Sequence, residues 1–351
     1  MKKGDLLQLR LQNQGLLSPR FEKPQDAVAH LGAMQAQDFN MATWAAGLRL
    51  KNPGRAAVES AIHSGQLIRT HILRPTWHLV HSKDIRWMMQ LSAPYVKKAT
   101  QFVDKKEGLN DELFKKCRKI IERLLNQADQ ITKEDILLAL SKQRITISSL
   151  LTTQIIIRAE LEMVLCNGAA KNTYVLFDQR IPPAAALSKT ESIVQLAQRY
   201  FQSRGPATVK DFAWWSGLGI HEAKTGIAEL GPQLEQFIFN DLKYYYLGVE
   251  GKTPSTKAVT LLPCYDEYTV GYAEGRAIAL PPGLDSAIIG NGIFKPVVLY
   301  GNEIVGTWQK NRKTGLAEVQ LLDETKAVPP KKLEEGIAAF NRFYQAGIRS
   351  K

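Results

Sequence analysis

Cysteine is scarce: Cys117, Cys166 and Cys264 are the only three, widely spaced and never in a CxxC pair. An odd, dispersed set excludes a disulfide framework and a cysteine-based zinc site, and fits a reduced, cytoplasmic compartment. Cys117 and Cys166 stand on apolar helical faces and read as core. The six histidines include no HExxH and no compact metal spacing, so no metal is expected. No run of about 18 apolar residues occurs, which excludes a transmembrane helix. Asp5, Gln8, Arg10 and Gln12 break up the N-terminal segment, which rules out a signal peptide. GxGxxG, P-loop and nucleophile-elbow motifs are missing as well. That leaves nucleotide-cofactor and serine-hydrolase readings without support, and no cofactor is expected.

What is present is basic and well supplied with core residues. The 351 residues allow two or three domains, and a hydrophobic share of 44%, with 12 Phe, 11 Tyr and 6 Trp, argues against global disorder. Lys plus Arg number 46 against 34 Asp plus Glu, a net charge of +12. A surplus of that size suits a polyanion, because neutralising phosphates releases counterions. A basic but uninvolved surface would give the same number. The charge is spread over pairs such as Lys97-Lys98, Lys115-Lys116 and Lys331-Lys332, with no basic tail.

Hydrophobic periodicity suggests one plan used three times, followed by a different one. In residues 188–251, Glu191 to Phe201 has helical spacing, Arg204-Gly205-Pro206 breaks it, and Thr208 with Asp211 caps a second helix. A third helix runs from about Ile220 to Leu230, and apolar runs on either side of Asn240-Asp241 form a hairpin. Residues 106–187 repeat this: a helix from Asp111 to Leu125, a short helix opened by Thr132, a helix from Ser149 to Cys166, and a strand at Tyr174 to Phe177. Residues 1–105 fit more loosely. They carry helices at Asp5 to Gln12, from Pro24 through Met34, and Ala56 to His63, then a hairpin over Gln66 to Val80 bent at Pro75, and a helix from Asp84. Three helices and a hairpin make a winged helix. Residues 252–351 read as a small β domain with strands at Val259, Ala277 to Leu280, Val297, Glu303 and Glu318, closed by a helix over Leu333 to Phe343. The expected class is therefore α+β, with three tandem winged-helix modules and a C-terminal β domain. Winged helices usually bind duplex nucleic acid, so double-stranded DNA is the expected partner, with no membrane. No heptad pattern points to dimerisation, and a monomer is expected.

Several motifs occur in a fixed order: Met34-Gln35-Ala36-Gln37-Asp38, Ala42-Thr43-Trp44-Ala45-Ala46-Gly47-Leu48-Arg49, Arg69 through Val80, Leu262-Pro263-Cys264-Tyr265-Asp266-Glu267-Tyr268, and Gly301 through Trp308. Together they resemble the AlkZ/YcaQ-like winged-helix DNA glycosylase superfamily over nearly the whole chain. The resemblance implies a C-shaped arrangement around a basic channel and excision of N-alkylated purines, including bulky adducts or interstrand crosslinks. It implies a monofunctional DNA glycosylase, and Gln35-Ala36-Gln37 matches the two-glutamine form of the signature. A non-enzymatic regulator or damage binder is the alternative.

Glutamine is no general base, but it can hold and orient a water. A cationic N7- or N3-alkylpurine leaves as a neutral base, so water placement and stabilisation of an oxocarbenium-like sugar supply most of what is needed. Residues i and i+2 share no helical face, so Gln35 and Gln37 act together only where a helix has ended or the chain is extended. Phe39-Asn40 is expected to mark that helix end. Asp38 is a candidate supporting carboxylate or a cap. His78 is a second supporting candidate, or simply structural. Arg69 and Arg74 on the first hairpin, Lys142, Arg144 and Arg158 around the middle module's third helix, and Lys243 are candidate DNA contacts. Trp214, Trp215 and the run Tyr244-Tyr245-Tyr246 could stack on bases or pack in a core.

Overall fold

The structure is a computed structural model and describes residues 1–170, 172–248, 257–281, 289–290, 292–322 and 328–345. It is a mixed helix and sheet architecture. Local capping chemistry explains where many helices start. Asn110 caps Asp111–Leu125, and Ser148 caps Ser149–Leu161. Thr132 with Asp135 forms a reciprocal capping box before Lys133–Lys142, Ser188 with Glu191 before Lys189–Arg204, and Thr208 with Asp211 before Val209–Ser216. The hairpin Leu234–Phe239/Leu242–Leu247 turns at Asn240 and Asp241, both with positive φ, which these residue types tolerate.

Several elements differ from the sequence reading. The helix from Pro24 stops at Leu31, because Gly32 takes φ +75°, and Ala33–Gln35 continues as a strand carrying Met34. Phe39-Asn40 opens the helix Phe39–Gly47, capped by Asp38, and does not end one. The helix from Ser149 stops at Leu161, and Cys166 lies in the strand Leu165–Asn167. Ala277 to Leu280 forms no strand; Glu274–Ile278 is a 3-10 turn there.

Three sheets position the rest. Leu67–His71 and Trp77–His81 form the expected antiparallel pair, and Ala33–Gln35 adds a third strand on the far side of Trp77–His81. Ile131–Thr132, Thr173–Leu176 and Leu165–Asn167 make a second three-stranded sheet. Near the C-terminus, Ala317–Leu321, Glu303–Lys310, Val297–Tyr300 and Val259–Leu262 form a four-stranded sheet, against which the helix Pro330–Gln345 packs. The largest core joins the first hairpin, the helix Ser82–Lys106 and the helices Lys189–Arg204 and Val209–Ser216. A second core is confined to residues 109–174. The first helix buries Leu6, Leu7 and Leu11 in one apolar cluster with Tyr244, Leu262, Tyr268 and Leu299, so the N-terminal helix is tied to the C-terminal sheet. Trp44 packs on Phe340 and Phe343, which fastens the helix after the glutamine motif to the C-terminal helix.

Candidate active site

Gln35 ends a strand and Asp38 caps a helix, so the glutamine motif spans a strand-to-helix junction. Gln35 lies opposite His78 in the ladder and is 7% exposed. Its backbone N–H donates to Glu267 Oε1 at 2.7 Å, and its Oε1 accepts from Arg74 Nη2 at 3.0 Å. Gln37 is exposed. Arg69 ties down the main chain here, with Nε donating to the Ala36 carbonyl at 3.0 Å and Nη2 to the Gln37 carbonyl at 3.4 Å. The Arg69 guanidinium also sits 4.1 Å over the Trp77 ring. Asp38 spends a carboxylate oxygen on the Met41 N–H at 3.0 Å.

Behind the motif lies a buried charge cluster. Glu267 Oε2 accepts from Arg204 Nη2 at 2.6 Å, Arg204 Nε at 3.0 Å and Trp215 Nε1 at 3.2 Å. Arg204 also donates to the carbonyls of Leu31 and Ala33, on either side of Gly32. Asp266 makes a two-pronged pair with Arg49 at 3.0 and 3.1 Å, and Arg49 donates as well to Gln14 Oε1 and the Ala45 carbonyl. All four charged side chains are buried. Such pairs fix geometry more than they stabilise, because desolvation consumes most of the Coulomb gain. The element at Tyr265-Asp266-Glu267-Tyr268 thus pins the C-terminal segment to the glutamine strand. The sequence offered Tyr265-Asp266-Glu267-Tyr268 either as channel lining or as a pin between the β domain and the modules, without singling out Glu267, and Arg204-Gly205-Pro206 only as a helix breaker. Two adjacent carboxylates after an apolar strand were the available signal.

Arg74 is partly buried, and desolvation holds its pKa down to about 10 despite the nearby Glu267 carboxylate. It forms no ion pair among the described residues, and its Nε has no partner. Its guanidinium lies 5.3 Å from the ring centroid of Trp214, which is 44% exposed, and Arg276 lies 5.6 Å from the same ring. Trp215, in contrast, is core. His78 is fully buried, and burial, with Arg74 adding to it, holds its pKa well below the ordinary histidine value. Its Nδ1 must donate to the Thr76 carbonyl at 2.9 Å, since a carbonyl only accepts, so Nε2 is a buried lone pair without a partner.

The structure brings Gln35, Gln37, Asp38, Arg69, Arg74 and His78 together around this junction. The other candidates lie elsewhere. Arg158 donates to Asp111 at 2.7 Å and Glu162 at 2.8 Å, which partly neutralises it. Lys142, Arg144 and Lys243 are exposed, and Lys243 lies 5.4 Å from the Tyr245 ring centroid. Burial pushes the thiols up, Cys117 to about 11 and Cys166 and Cys264 to about 12, so none is a nucleophilic thiolate at neutral pH. Among the described residues, no group of three His, Cys, Asp or Glu side chains is placed to hold a metal, and no helix is long and apolar enough to cross a membrane.

Comparison with known proteins adds three findings. The DNA glycosylase AlkZ-like family model matches residues 28–343. An interstrand DNA cross-link repair glycosylase of Streptomyces sahachiroi is 22% identical over 324 residues, which cover 86% of this chain and 85% of that protein. The solved structure of Streptomyces sahachiroi DNA glycosylase AlkZ has a TM-score of 0.83 at 20% identity, covering 98% of this chain and 96% of that one, and so shares its fold.

Proposed function

The chain belongs to the DNA glycosylase AlkZ-like family, and from that premise we propose that it hydrolyses the N-glycosidic bond of N-alkylated, cationic purines in double-stranded DNA. It acts as a monofunctional, monomeric, cytoplasmic enzyme, and its substrates include bulky adducts or interstrand crosslinks, as the name of the Streptomyces relative suggests. The three helix-and-hairpin segments, 1–105, 106–187 and 188–251, act as winged-helix modules, and with the β domain 252–351 they curve around a basic channel. Arg69, Arg74, Lys142, Arg144, Arg158 and Lys243 are its DNA-facing candidates.

The observation that supports this reading is the immobilised junction. The buried Gln35 is held through both backbone and side chain, and the exposed Gln37 follows two residues later on a main chain clamped by Arg69. Amides on a fixed junction can hold a water and the DNA strand beside a sugar carbon without reorganising during the reaction. The lesion's own positive charge replaces acid catalysis of base departure, which explains how amides suffice. Asp38 adds negative charge near the developing oxocarbenium ion, and the neutral His78 backs Gln35 from the adjacent strand.

The test is base release from a duplex containing one N7-methylguanine, using wild type, Gln35→Ala, Gln37→Ala and the double variant, with DNA binding measured in the same samples. Release by the wild type and its loss in the variants, at protein concentrations that saturate binding for each, supports a glutamine-held water. Tight binding without release, repeated on a bulky N7 adduct, would favour a non-enzymatic damage binder or regulator.

A further inference from the structure

The two glutamines of the motif are not equivalent. Arginine can only donate hydrogen bonds. Arg74 Nη2 is 3.0 Å from Gln35, so the amide atom facing it must be oxygen. The Gln35 amide nitrogen then points the other way. It donates to no described residue and still reaches solvent. Gln37 carries no such constraint: its side chain is exposed and bonds to no described residue. Arg74 is meanwhile a partly buried cation with no ion pair among the described residues, and Glu267, whose charge acts on it, is already paired with Arg204. A partly desolvated cation without a counter-charge, its Nε buried and unpartnered, gains from a ligand that brings one.

We infer that Gln35 serves as a donor, oriented by Arg74, to an acceptor oxygen of the lesion-bearing DNA strand, and that Gln37 alone supplies the acceptor for the attacking water. This assignment rests on reading the motif as the catalytic site and divides the labour within it. The anionic phosphate next to the lesion is the acceptor that best meets both observations. It takes hydrogen bonds from the Gln35 NH2, and its charge offsets the uncompensated guanidinium behind the Gln35 oxygen. Arg74 is thus a positioning residue: it fixes which end of the amide faces DNA. The arrangement also resolves a conflict within the site. A naked guanidinium beside a forming oxocarbenium ion opposes the reaction, and a bound phosphate removes that opposition.

Carboxylate substitution separates the two roles, because glutamate keeps the acceptor and loses the donor. Gln35→Glu and Gln37→Glu are compared for Kd and single-turnover base release on a duplex with one N7-methylguanine. The expected result is that Gln35→Glu weakens binding at least tenfold, on the order of one lost hydrogen bond to a charged acceptor plus repulsion. Gln37→Glu should keep Kd within about threefold and give a release rate that rises with pH as the new carboxylate ionises. Gln35→Met, which removes the amide without adding charge, should weaken binding in the same direction. In a cycle with Arg74→Met, the double variant should lose clearly less binding than the sum of the two singles, a coupling that general loss of structure would not produce. Wild-type affinity for Gln35→Glu, equal weakening by both glutamates, or additive losses in the cycle would overturn the assignment. Kd decides the donor role of Gln35 and the pH profile of release the Gln37 role, so a wild type that binds but releases no base would count against the catalytic reading and not against the donor role.

Discussion

Replacing Glu267 with glutamine should destabilise the protein and misplace Gln35 at once. Glu267 is 1% exposed and accepts four hydrogen bonds, from the Gln35 main chain, twice from Arg204, and from Trp215. A glutamine side chain can accept at one end only, and its NH2 would face either Arg204 or the Gln35 N–H. Breaking one partner of a buried pair costs about 3–5 kcal/mol. The remaining acceptors of Arg204, the carbonyls of Leu31 and Ala33 and Ser203 Oγ, place the expected loss near the lower end. With an unfolding entropy of about 2.1 cal/mol/K per residue, this 351-residue chain shifts by about 1.4 °C per kcal/mol, so Tm should fall by roughly 4 °C. Thermal unfolding of Glu267→Gln, and of the cycle Glu267→Met, Arg204→Met and Glu267→Met/Arg204→Met, reads this out. The double variant should lose clearly less than the sum of its singles, since it buries no unpaired charge. A Tm shift below about 2 °C for Glu267→Gln, or strict additivity in the cycle, would refute the coupled role given to this pair.

Three further outcomes follow from the same structure. Burial holds His30 down to about 4 and His78 well below the ordinary value, so the unfolded chain binds more protons below about pH 6.5. This contribution leaves stability unchanged above that range and lowers it as pH falls from about 6.5 towards 4; His30→Gln should flatten the fall in Tm between about pH 7 and 5, and an unchanged slope would contradict it. Phe340 is fully buried among Trp44, Trp308 and Tyr344, so Phe340→Ala should cost about 3–5 kcal/mol in chemical denaturation. Arg69→Met should keep the stacking contact on Trp77 but free the Gln37 carbonyl, lowering the release rate more than it weakens DNA binding; the reverse pattern would make Arg69 a phosphate contact instead.

Local chemistry made much of the fold legible in advance. The capping boxes at Thr132 and Thr208 and the Asn240-Asp241 turn involve partners within three residues, so spacing alone places them. The ladder position of Gln35 was hidden because it depends on pairing with His78 and on Gly32 ending the preceding helix. Periodicity carried the helix from Ser149 too far, since Leu165 and Cys166 are apolar in a strand as they would be in a helix. The same ambiguity made a strand of Ala277 to Leu280. Within the site, the motif residues could be named from the resemblance. Their supports could not: Glu267 reaches Gln35 across 232 residues, and Arg204 reaches Ala33 across 171. An adjacent acidic pair says that something is being held and does not say what.

The most direct test of the central claim is the rate at which wild-type protein frees N7-methylguanine from a duplex, set against spontaneous loss from the same duplex and against an undamaged one. The account predicts release well above the spontaneous rate, no release of undamaged bases, and an abasic strand that stays intact until alkali is added. Release no faster than the spontaneous rate, for both N7-methylguanine and a bulky N7 adduct, would contradict it.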